Sequence, residues 1–243
     1  QDDAHIFCRP DQVEQEVQAF MSLLREMYEL FFDLSDMQIM LSTRPAPEDR
    51  LGSDTMWGDA ERVLEGILRN SGVAFVPGPR EGAFYGPKID FDIRDALGRP
   101  IQLSTIQLDY SLPERMGLNY VTSQGMPERP VILHRAVLGS LERFIGILIE
   151  HLEGAFPVWL APVQVEVIPI ADRHAEYART VASRLEAKGL RVEVDARSER
   201  MQAKIRDTQV QKIPYMLIVG DRNMRENSVS VRLRTEEDLG DQP

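Results

Sequence analysis

Apolar residues recur every three or four positions in three long segments, and this period predicts amphipathic helices. Asp11 with Glu14 is typical of a capping box, Ser53 of an N-cap, and Gly72 of a C-terminal stop. The helices are therefore expected within residues 9–34 and 53–72 and in the later part of 131–156.

Strict alternation of apolar and charged positions marks the strands between these helices. Ile89, Phe91 and Ile93 alternate with charged residues, and a turn at 96–99 separates them from a second extended segment. This pattern predicts an antiparallel hairpin. Helices beside antiparallel strands are typical of the α+β class, which we predict for the first part of the chain.

The last third of the chain follows a different pattern, in which short apolar strands alternate with helices, one of which ends at Gly189. Strands separated by helices of this length pair in parallel. We therefore predict an α/β domain with a mixed sheet at 157–243, after an α+β domain at 1–156. The two prolines of "PVWLAP" place the boundary near 154–162.

Composition narrows the class of protein. The contents of 43% hydrophobic and 28% charged residues are those of a globular protein, and the net charge of −11 argues against non-specific wrapping on nucleic acid. A local basic patch remains compatible with that charge. The longest apolar runs are too short to cross a bilayer. The single Cys8 cannot form an internal disulfide, so we expect a cytoplasmic protein.

Two histidines, His5 and His134, lie in apolar segments that are expected to be buried strands. Each is either a hydrogen-bonded core residue or one of three protein ligands of a catalytic zinc ion. Cys8 is three positions from His5 and should point to the opposite face of its strand, as a small buried hydrophobe. A third zinc ligand is therefore expected outside this chain. His151 and His174 lie on polar helix faces.

Polar residues interrupt two further segments. Tyr85 and Lys88 flank the glycine–proline turn of "EGAFYGPKIDF", where they either contact a polar ligand or form a solvated hairpin tip. Gln102, Ser104 and Thr105, followed by Gln107, interrupt an apolar strand. Their hydrogen-bond partners are either a bound substrate or neighbouring strands.

Arg143 follows Gly139 and Ser140 at the start of an apolar helix. We expect this arginine to be buried, and a buried charge needs a partner. A phosphate is a suitable partner, because the guanidinium group matches its geometry and stays charged.

These segments, in this order, resemble the threonyl-tRNA synthetases, which are class II aminoacyl-tRNA synthetases. The resemblance is carried by "QDDAHIF", "LSTRP", "EGAFYGPKIDF", "QLSTIQLDYSLPERM" and "VILHRAVLGSLERFIGILIEH". It implies part of an antiparallel-sheet catalytic domain at 1–156 and an anticodon-binding domain at 157–243.

The resemblance also implies roles for individual residues. His5 and His134 would bind zinc, and Asp3 would receive the threonine hydroxyl. The catalytic residues would be Arg143, which binds the ATP γ-phosphate, and Lys88, which lies near the amino acid. The substrate pocket would be formed by Gln1, Asp3, Tyr85, Gln102, Thr105, Gln107 and Ser140. The tRNA would be contacted by Arg206, Asn223 and Arg232, and a basic face would be formed by Arg197, Arg200, Lys204, Arg206, Arg232 and Arg234.

The activity implied by the resemblance is that of a threonine–tRNA ligase. ATP with Mg²⁺ would activate L-threonine to threonyl-adenylate, and the threonyl group would pass to tRNA(Thr). Threonine and valine are nearly isosteric, but valine lacks the hydroxyl group. A zinc ion that binds this hydroxyl would therefore reject valine. The full-length protein is expected to be a homodimer. Asn223 stands where many family members carry glutamate.

Motif 1, motif 2, the zinc-binding cysteine and an editing domain of the family have no counterpart in this sequence, so we expect the chain alone to be inactive. Two alternatives remain open. The chain could belong to a non-catalytic synthetase-like protein or fragment that binds tRNA or another RNA. It could also belong to another class II synthetase.

Overall fold

The computed structural model describes the backbone of residues 1–243 and every side chain except that of Asp36. It divides into two compact units, Gln1–His151 and Leu152–Pro243. No helix within the described residues is long and apolar enough to span a membrane.

The first unit is built on a six-stranded sheet flanked by helices, with the strand order β1-β8-β5-β4-β2-β3. The strands of this sheet are Ala4–Cys8 (β1), Gln38–Ser42 (β2), Val76–Gly78 (β3), Lys88–Arg94 (β4), Pro100–Asp109 (β5) and Val131–Ala136 (β8). Tyr120–Val121 (β6) and Pro127–Glu128 (β7) form a separate two-stranded sheet. The helices of the first unit are Val13–Glu29 (α1), Asp54–Asn70 (α2), Ser111–Arg115 (α3) and Leu141–His151 (α4). Neighbouring strands of the large sheet are antiparallel, apart from the parallel pair β2 and β3.

The predicted helices and hairpin are confirmed. The Ser53 hydroxyl accepts the Met56 N–H at 3.2 Å and caps α2, while Gly72 follows that helix with a φ of +67°. Residues 95–99 join β4 to β5. The buried faces of α1 and α2 consist of Val13, Val17, Phe20, Leu24, Tyr28, Trp57, Ala60, Leu64, Ile67 and Leu68.

The predicted capping box of α1 is wrong. A 3-10 turn at Pro10–Gln12 precedes the helix, and the carboxylate of Asp11 pairs with the guanidinium group of Arg9 at 2.9 Å. The Gln12 side chain accepts the Arg9 N–H at 3.0 Å instead. Proline at the first position has a φ suited to helical backbone, so the turn begins before Asp11 can act as a cap.

The second unit has a five-stranded mixed sheet, as predicted, with the order β10-β9-β11-β12-β13. Its strands are Val165–Pro169 (β9), Val192–Val194 (β10), Tyr215–Val219 (β11), Val229–Leu233 (β12) and Asp238–Gln242 (β13). Its helices are Ala175–Glu186 (α5), Met201–Val210 (α6) and Asp221–Glu226 (α7). The three strands β10, β9 and β11 are parallel, whereas β12 and β13 are antiparallel to their neighbours. The sequence pattern missed α7, which is short, and β13, which is a polar edge strand.

Candidate active site

The register of the large sheet places five polar side chains in one row across five strands. Ser42 on β2 pairs with Lys88 on β4, and Lys88 pairs with Gln107 on β5. Gln107 pairs with His134 on β8, and His134 pairs with His5 on β1. Directly opposed residues of antiparallel strands project from the same face, so the sheet presents this row as one polar surface.

The two imidazoles at the end of the row are in contact. The ring centroids of His5 and His134 are 4.6 Å apart in an edge-to-face arrangement. The His134 side chain is 12% exposed, but that of His5 is 45% exposed. The expectation that both histidines are buried is therefore wrong for His5, because β1 is the edge strand of the sheet in this chain.

His134 is oriented by Asp109, a residue that the sequence reasoning missed. The Nε2 atom of His134 lies 2.9 Å from Oδ2 of Asp109, which is fully buried. The other carboxylate oxygen accepts the backbone N–H groups of Ser111 and Leu112 at 2.8 and 2.9 Å. Because a carboxylate only accepts, Nε2 carries the proton and Nδ1 keeps a free lone pair. The signal in the sequence that could have identified Asp109 is a single carboxylate at the end of an apolar strand.

Cys8 faces away from this pair and is buried, as predicted. Burial, with Glu16 and Asp11 as further causes, raises the pKa of the Cys8 thiol. A thiol in this environment is unsuited to bind a metal, since the thiolate is the binding form.

A cavity of about 310 Å³ opens beside the histidine pair. Its lining includes nine of the predicted site residues: Gln1, Asp3, Tyr85, Gln102, Thr105, Gln107, His134, Ser140 and Arg143. Lys88 and His5 lie outside the lining, and the ammonium group of Lys88 instead pairs with the buried carboxylate of Asp90. A larger groove of about 940 Å³ is lined by segments 7–12 and 118–130, away from these residues.

Hydrogen bonds connect the side chains along one wall of the cavity. The hydroxyl of Tyr85 donates to Oε1 of Gln107, and Nε2 of Gln107 donates to Oγ1 of Thr105 at 3.5 Å. Burial, followed by the charges of Asp109 and Asp3, raises the pKa of Tyr85 to about 12. The hydroxyl therefore stays protonated, and able to donate, at neutral pH.

Arg143 differs from its prediction, because it is exposed rather than buried. The buried side of α4 consists of Phe144, Ile147 and Leu148, so Arg143 lies on a different side of the helix. Its Nη1 atom is 3.4 Å from the carbonyl oxygen of Gln102, which directs the guanidinium group toward the cavity.

The loop before α4 approaches β5 closely at Gly139. A Cβ atom at this position would lie 2.3 Å from the carbonyl oxygen of Leu103, and the φ of Gly139 is +66°. Only glycine meets both conditions without strain. This residue therefore sets the distance between Ser140 and the wall formed by β5.

The second unit contains the three residues predicted to contact tRNA. Arg206 is exposed and borders a surface pocket with Lys212 and Arg234. Arg232 is half-buried, and its Nε atom has no hydrogen-bond acceptor among the described residues. Asn223 is buried, where its Oδ1 atom accepts the Gly220 N–H at 3.0 Å.

The predicted basic face is smaller than its six residues suggest. The ammonium group of Lys204 is buried and donates to the carbonyl oxygen of Asp195 at 2.9 Å. Arg197 forms ion pairs with Asp195 and Asp207, which raise the pKa of its guanidinium group. Arg234 donates to the carbonyl oxygen of Phe156 at 2.7 Å. The count of charges along the sequence did not reveal these internal partners.

Comparison with known families identifies both units. Residues 1–152 match the model for the tRNA synthetase class II core domain (G, H, P, S and T). The chain belongs to the class II aminoacyl-tRNA synthetases. Residues 164–241 match the model for an anticodon binding domain. The predicted fold class, a partial class II core followed by an anticodon-binding domain, is confirmed.

Among class II synthetases, the chain is similar to threonine–tRNA ligases. It is 53% identical over 240 residues to the threonine–tRNA ligase of Alkalilimnicola ehrlichii, which covers 99% of this chain. It is 50% identical over 244 residues to that of Thermus thermophilus, which covers 100%. The chain spans 37% of the length of each of these relatives. The resemblance to threonyl-tRNA synthetases is confirmed.

Solved structures agree with this assignment. The RNA binding domain of threonyl-tRNA synthetase from Cryptosporidium parvum aligns with a TM-score of 0.91 at 39% identity, covering 100% of this chain and 60% of its own. A threonyl-tRNA synthetase structure from Aeropyrum pernix aligns with a TM-score of 0.79 at 30% identity, covering 99% and 57%.

Proposed function

We propose that the protein to which this chain belongs is a threonine–tRNA ligase. Activation of L-threonine by ATP would form threonyl-adenylate, and transfer to tRNA(Thr) would follow. The observation that supports this proposal is the cavity beside His5 and His134, which collects nine residues of the predicted site. Residues 1–156 would form part of the catalytic domain, and residues 157–243 would bind the anticodon.

His5 and His134 would hold a zinc ion. The fit rests on the two contacting imidazoles and on Asp109, which leaves Nδ1 of His134 free to bind a metal. Among the described side chains, no group of three His, Cys, Asp or Glu residues could hold a metal ion. A further ligand would therefore come from outside this chain. When bound, the zinc would act as a Lewis acid for the amino and hydroxyl groups of threonine.

The cavity residues would bind and orient the substrates. Asp3 would accept a hydrogen bond from the threonine hydroxyl, because a carboxylate accepts hydrogen bonds only. Gln1, Tyr85 and Gln107 would contact the amino acid, while Gln102, Thr105 and Ser140 would contact the adenylate. These contacts hold the reacting groups in the geometry that the reaction needs.

Arg143 would provide positive charge for the phosphates of ATP, which enters with Mg²⁺. The exposed guanidinium group of Arg143 is available for bidentate binding of a phosphate. Fixed cations around the phosphates stabilise the charge that develops during transfer. Lys88, the other residue predicted to be catalytic, would act near the amino acid from β4, where Asp90 holds its ammonium group.

The second unit would bind the tRNA anticodon through Arg206 and Arg232. Single-stranded loops such as an anticodon are the usual targets of sequence-specific RNA recognition. The Nε atom of Arg232 is a buried donor that a bound base or phosphate would satisfy. The amide of Asn223 is hydrogen-bonded to Gly220, so its side chain would have to reorient to contact a base. We also propose a cytoplasmic location and a homodimer for the full-length protein.

Amino-acid-dependent ATP–pyrophosphate exchange by the full-length protein tests this function. We expect exchange with threonine and no exchange with amino acids that lack a β-hydroxyl group. Exchange with proline, histidine or glycine would show another class II synthetase. No exchange, together with no bound zinc, would support the non-catalytic RNA-binding alternative. The isolated chain should be inactive, because it supplies only two of the zinc ligands.

A further inference from the structure

A fully buried carboxylate, Asp90 on β4, lies behind the cavity wall. Its Oδ2 atom accepts hydrogen bonds from the hydroxyl of Ser42 at 2.6 Å and from the ammonium group of Lys88. Its Oδ1 atom accepts from Nε2 of Gln102 at 2.6 Å and from Oγ1 of Thr105 at 2.9 Å. Four donors thus occupy the acceptor positions of one carboxylate, which offers about four such positions.

This arrangement sets the direction of the neighbouring hydrogen bonds. Because a carboxylate only accepts, Gln102 must turn its NH₂ group toward Asp90, and its carbonyl oxygen remains available to a ligand. Thr105 likewise gives its hydroxyl proton to Asp90 and keeps its lone pairs. Thr105 then accepts from Gln107, and Gln107 accepts from the hydroxyl of Tyr85. Every bond along the wall therefore runs toward Asp90.

We propose that Asp90 is a positioning residue, which makes this wall of the cavity an array of hydrogen-bond acceptors and holds Lys88 beside it. Gln102, Thr105 and Tyr85 line the cavity, and their oxygens keep lone pairs with which to accept from a ligand. The ligand group that matches them is a hydrogen-bond donor. The inference rests on the proposed function at one point, the identity of that donor. The proposed substrates offer two such donors, the ammonium group of the amino acid and the ribose hydroxyls of ATP.

The variant Asp90→Asn in the full-length protein tests this role. An asparagine keeps the shape of the side chain, but it replaces one acceptor oxygen with an NH₂ group that faces two donors. One pair of partners must turn away, which disturbs either the acceptors of the wall or Lys88. In pyrophosphate exchange we expect the KM to rise about 10- to 100-fold for the ligand that contacts the wall. An increased KM for the amino acid identifies the ammonium group, and an increased KM for ATP identifies the ribose.

Asp92→Asn is the matched control, because Asp92 lies two residues along the same strand and loses the same charge. Its Oδ1 atom is buried without a hydrogen-bond partner among the described residues, and the residue does not line the cavity. Both KM values of this variant should stay within about threefold of the wild type.

A purely structural role for Asp90 has a different signature. Partial unfolding lowers kcat per mole of protein and leaves both KM values unchanged. Both KM values of Asp90→Asn within about threefold of the wild type would therefore overturn the proposal. If Asp90→Asn does not fold, Ser42→Ala replaces it, since Ser42 bonds to Asp90 and does not line the cavity. A rise of either KM above about threefold supports the role, and a smaller change overturns it.

The same assay separates this inference from the proposed function. Wild-type exchange with an amino acid other than threonine contradicts the function, while the comparison of variants proceeds with that amino acid. If the wild type catalyses exchange with threonine and both KM values of Asp90→Asn equal those of the wild type, only the inference is contradicted. If no amino acid supports exchange, the Kd for ATP, measured by calorimetry, replaces KM with the same thresholds.

Discussion

The Nε2 atom of His134 lies 2.9 Å from Oδ2 of the fully buried Asp109. The second oxygen of that carboxylate is held by two backbone N–H groups at the start of α3. The carboxylate is therefore fixed, and it in turn fixes the tautomer of the histidine.

Asp109→Asn should weaken zinc binding. The backbone N–H groups require an acceptor oxygen, so the new NH₂ group must face His134 and donate to Nε2. The proton of the imidazole then moves to Nδ1, which loses the lone pair needed for a metal. We expect zinc affinity of the full-length protein to fall about 10- to 100-fold, as measured by competition with a chromogenic chelator.

Asp33→Asn is the control for that experiment. Asp33 also accepts a backbone N–H, that of Ser35 at 2.9 Å, but it contacts no histidine. The zinc affinity of the Asp33→Asn variant should equal that of the wild type. Equal affinities for Asp109→Asn and the wild type would contradict the tautomer argument.

Gly139→Ala should destabilise the protein by about 1–3 kcal/mol. The added Cβ atom would collide with the carbonyl oxygen of Leu103, and the positive φ disfavours any side chain. Gly146→Ala provides the comparison, because a Cβ atom there meets no atom within 4 Å in the middle of α4. The free energy of unfolding of Gly146→Ala should increase by about 0.5–1 kcal/mol. Urea unfolding measures both, and a neutral Gly139→Ala would refute the prediction.

Glu166→Gln should stabilise the protein at neutral pH. Burial, partly offset by the hydrogen bond from Thr208, raises the pKa of Glu166. A raised pKa means that the folded state disfavours the carboxylate. The resulting destabilisation is fully present above the folded-state pKa, decreases as pH falls through that value, and is absent below the unfolded-state pKa of about 4.3.

Unfolding midpoints measured from pH 4 to pH 8 check this prediction. The advantage of Glu166→Gln should grow as pH rises. Glu193→Gln makes the same charge change at the neighbouring, exposed position of β10, and its effect should be smaller. A variant less stable than the wild type at pH 8 would show that the buried carboxylate is favourable.

Arg206→Ala should weaken binding of a tRNA(Thr) transcript about tenfold, because it removes an exposed cation from the predicted anticodon surface. Arg184→Ala removes an exposed arginine from α5 and is the matched control. Fluorescence anisotropy at fixed salt concentration compares the two variants. Equal losses of affinity would indicate a general charge effect rather than a contact at Arg206.

Local patterns in the sequence were sufficient to predict most elements of the fold. The period of apolar residues in α1 and α2, the alternation in β4 and the cap at Ser53 each depend on neighbours within a few positions. The segments that resemble threonyl-tRNA synthetases also supplied the candidate residues of the cavity. Where the local signal was weak, as in α7 and β13, the prediction failed.

The partners of the polar side chains depended on the tertiary structure. The register across five strands brings Ser42 and His5 into one row, and no local pattern contains that register. The same is true of the buried positions of Asp90 and Asp109 and of the exposed position of Arg143. The sequence alone thus determined which polar groups the protein has and which elements carry them. Only the packing of distant strands and helices decided which groups meet, because hydrogen bonds and burial depend on distances in space.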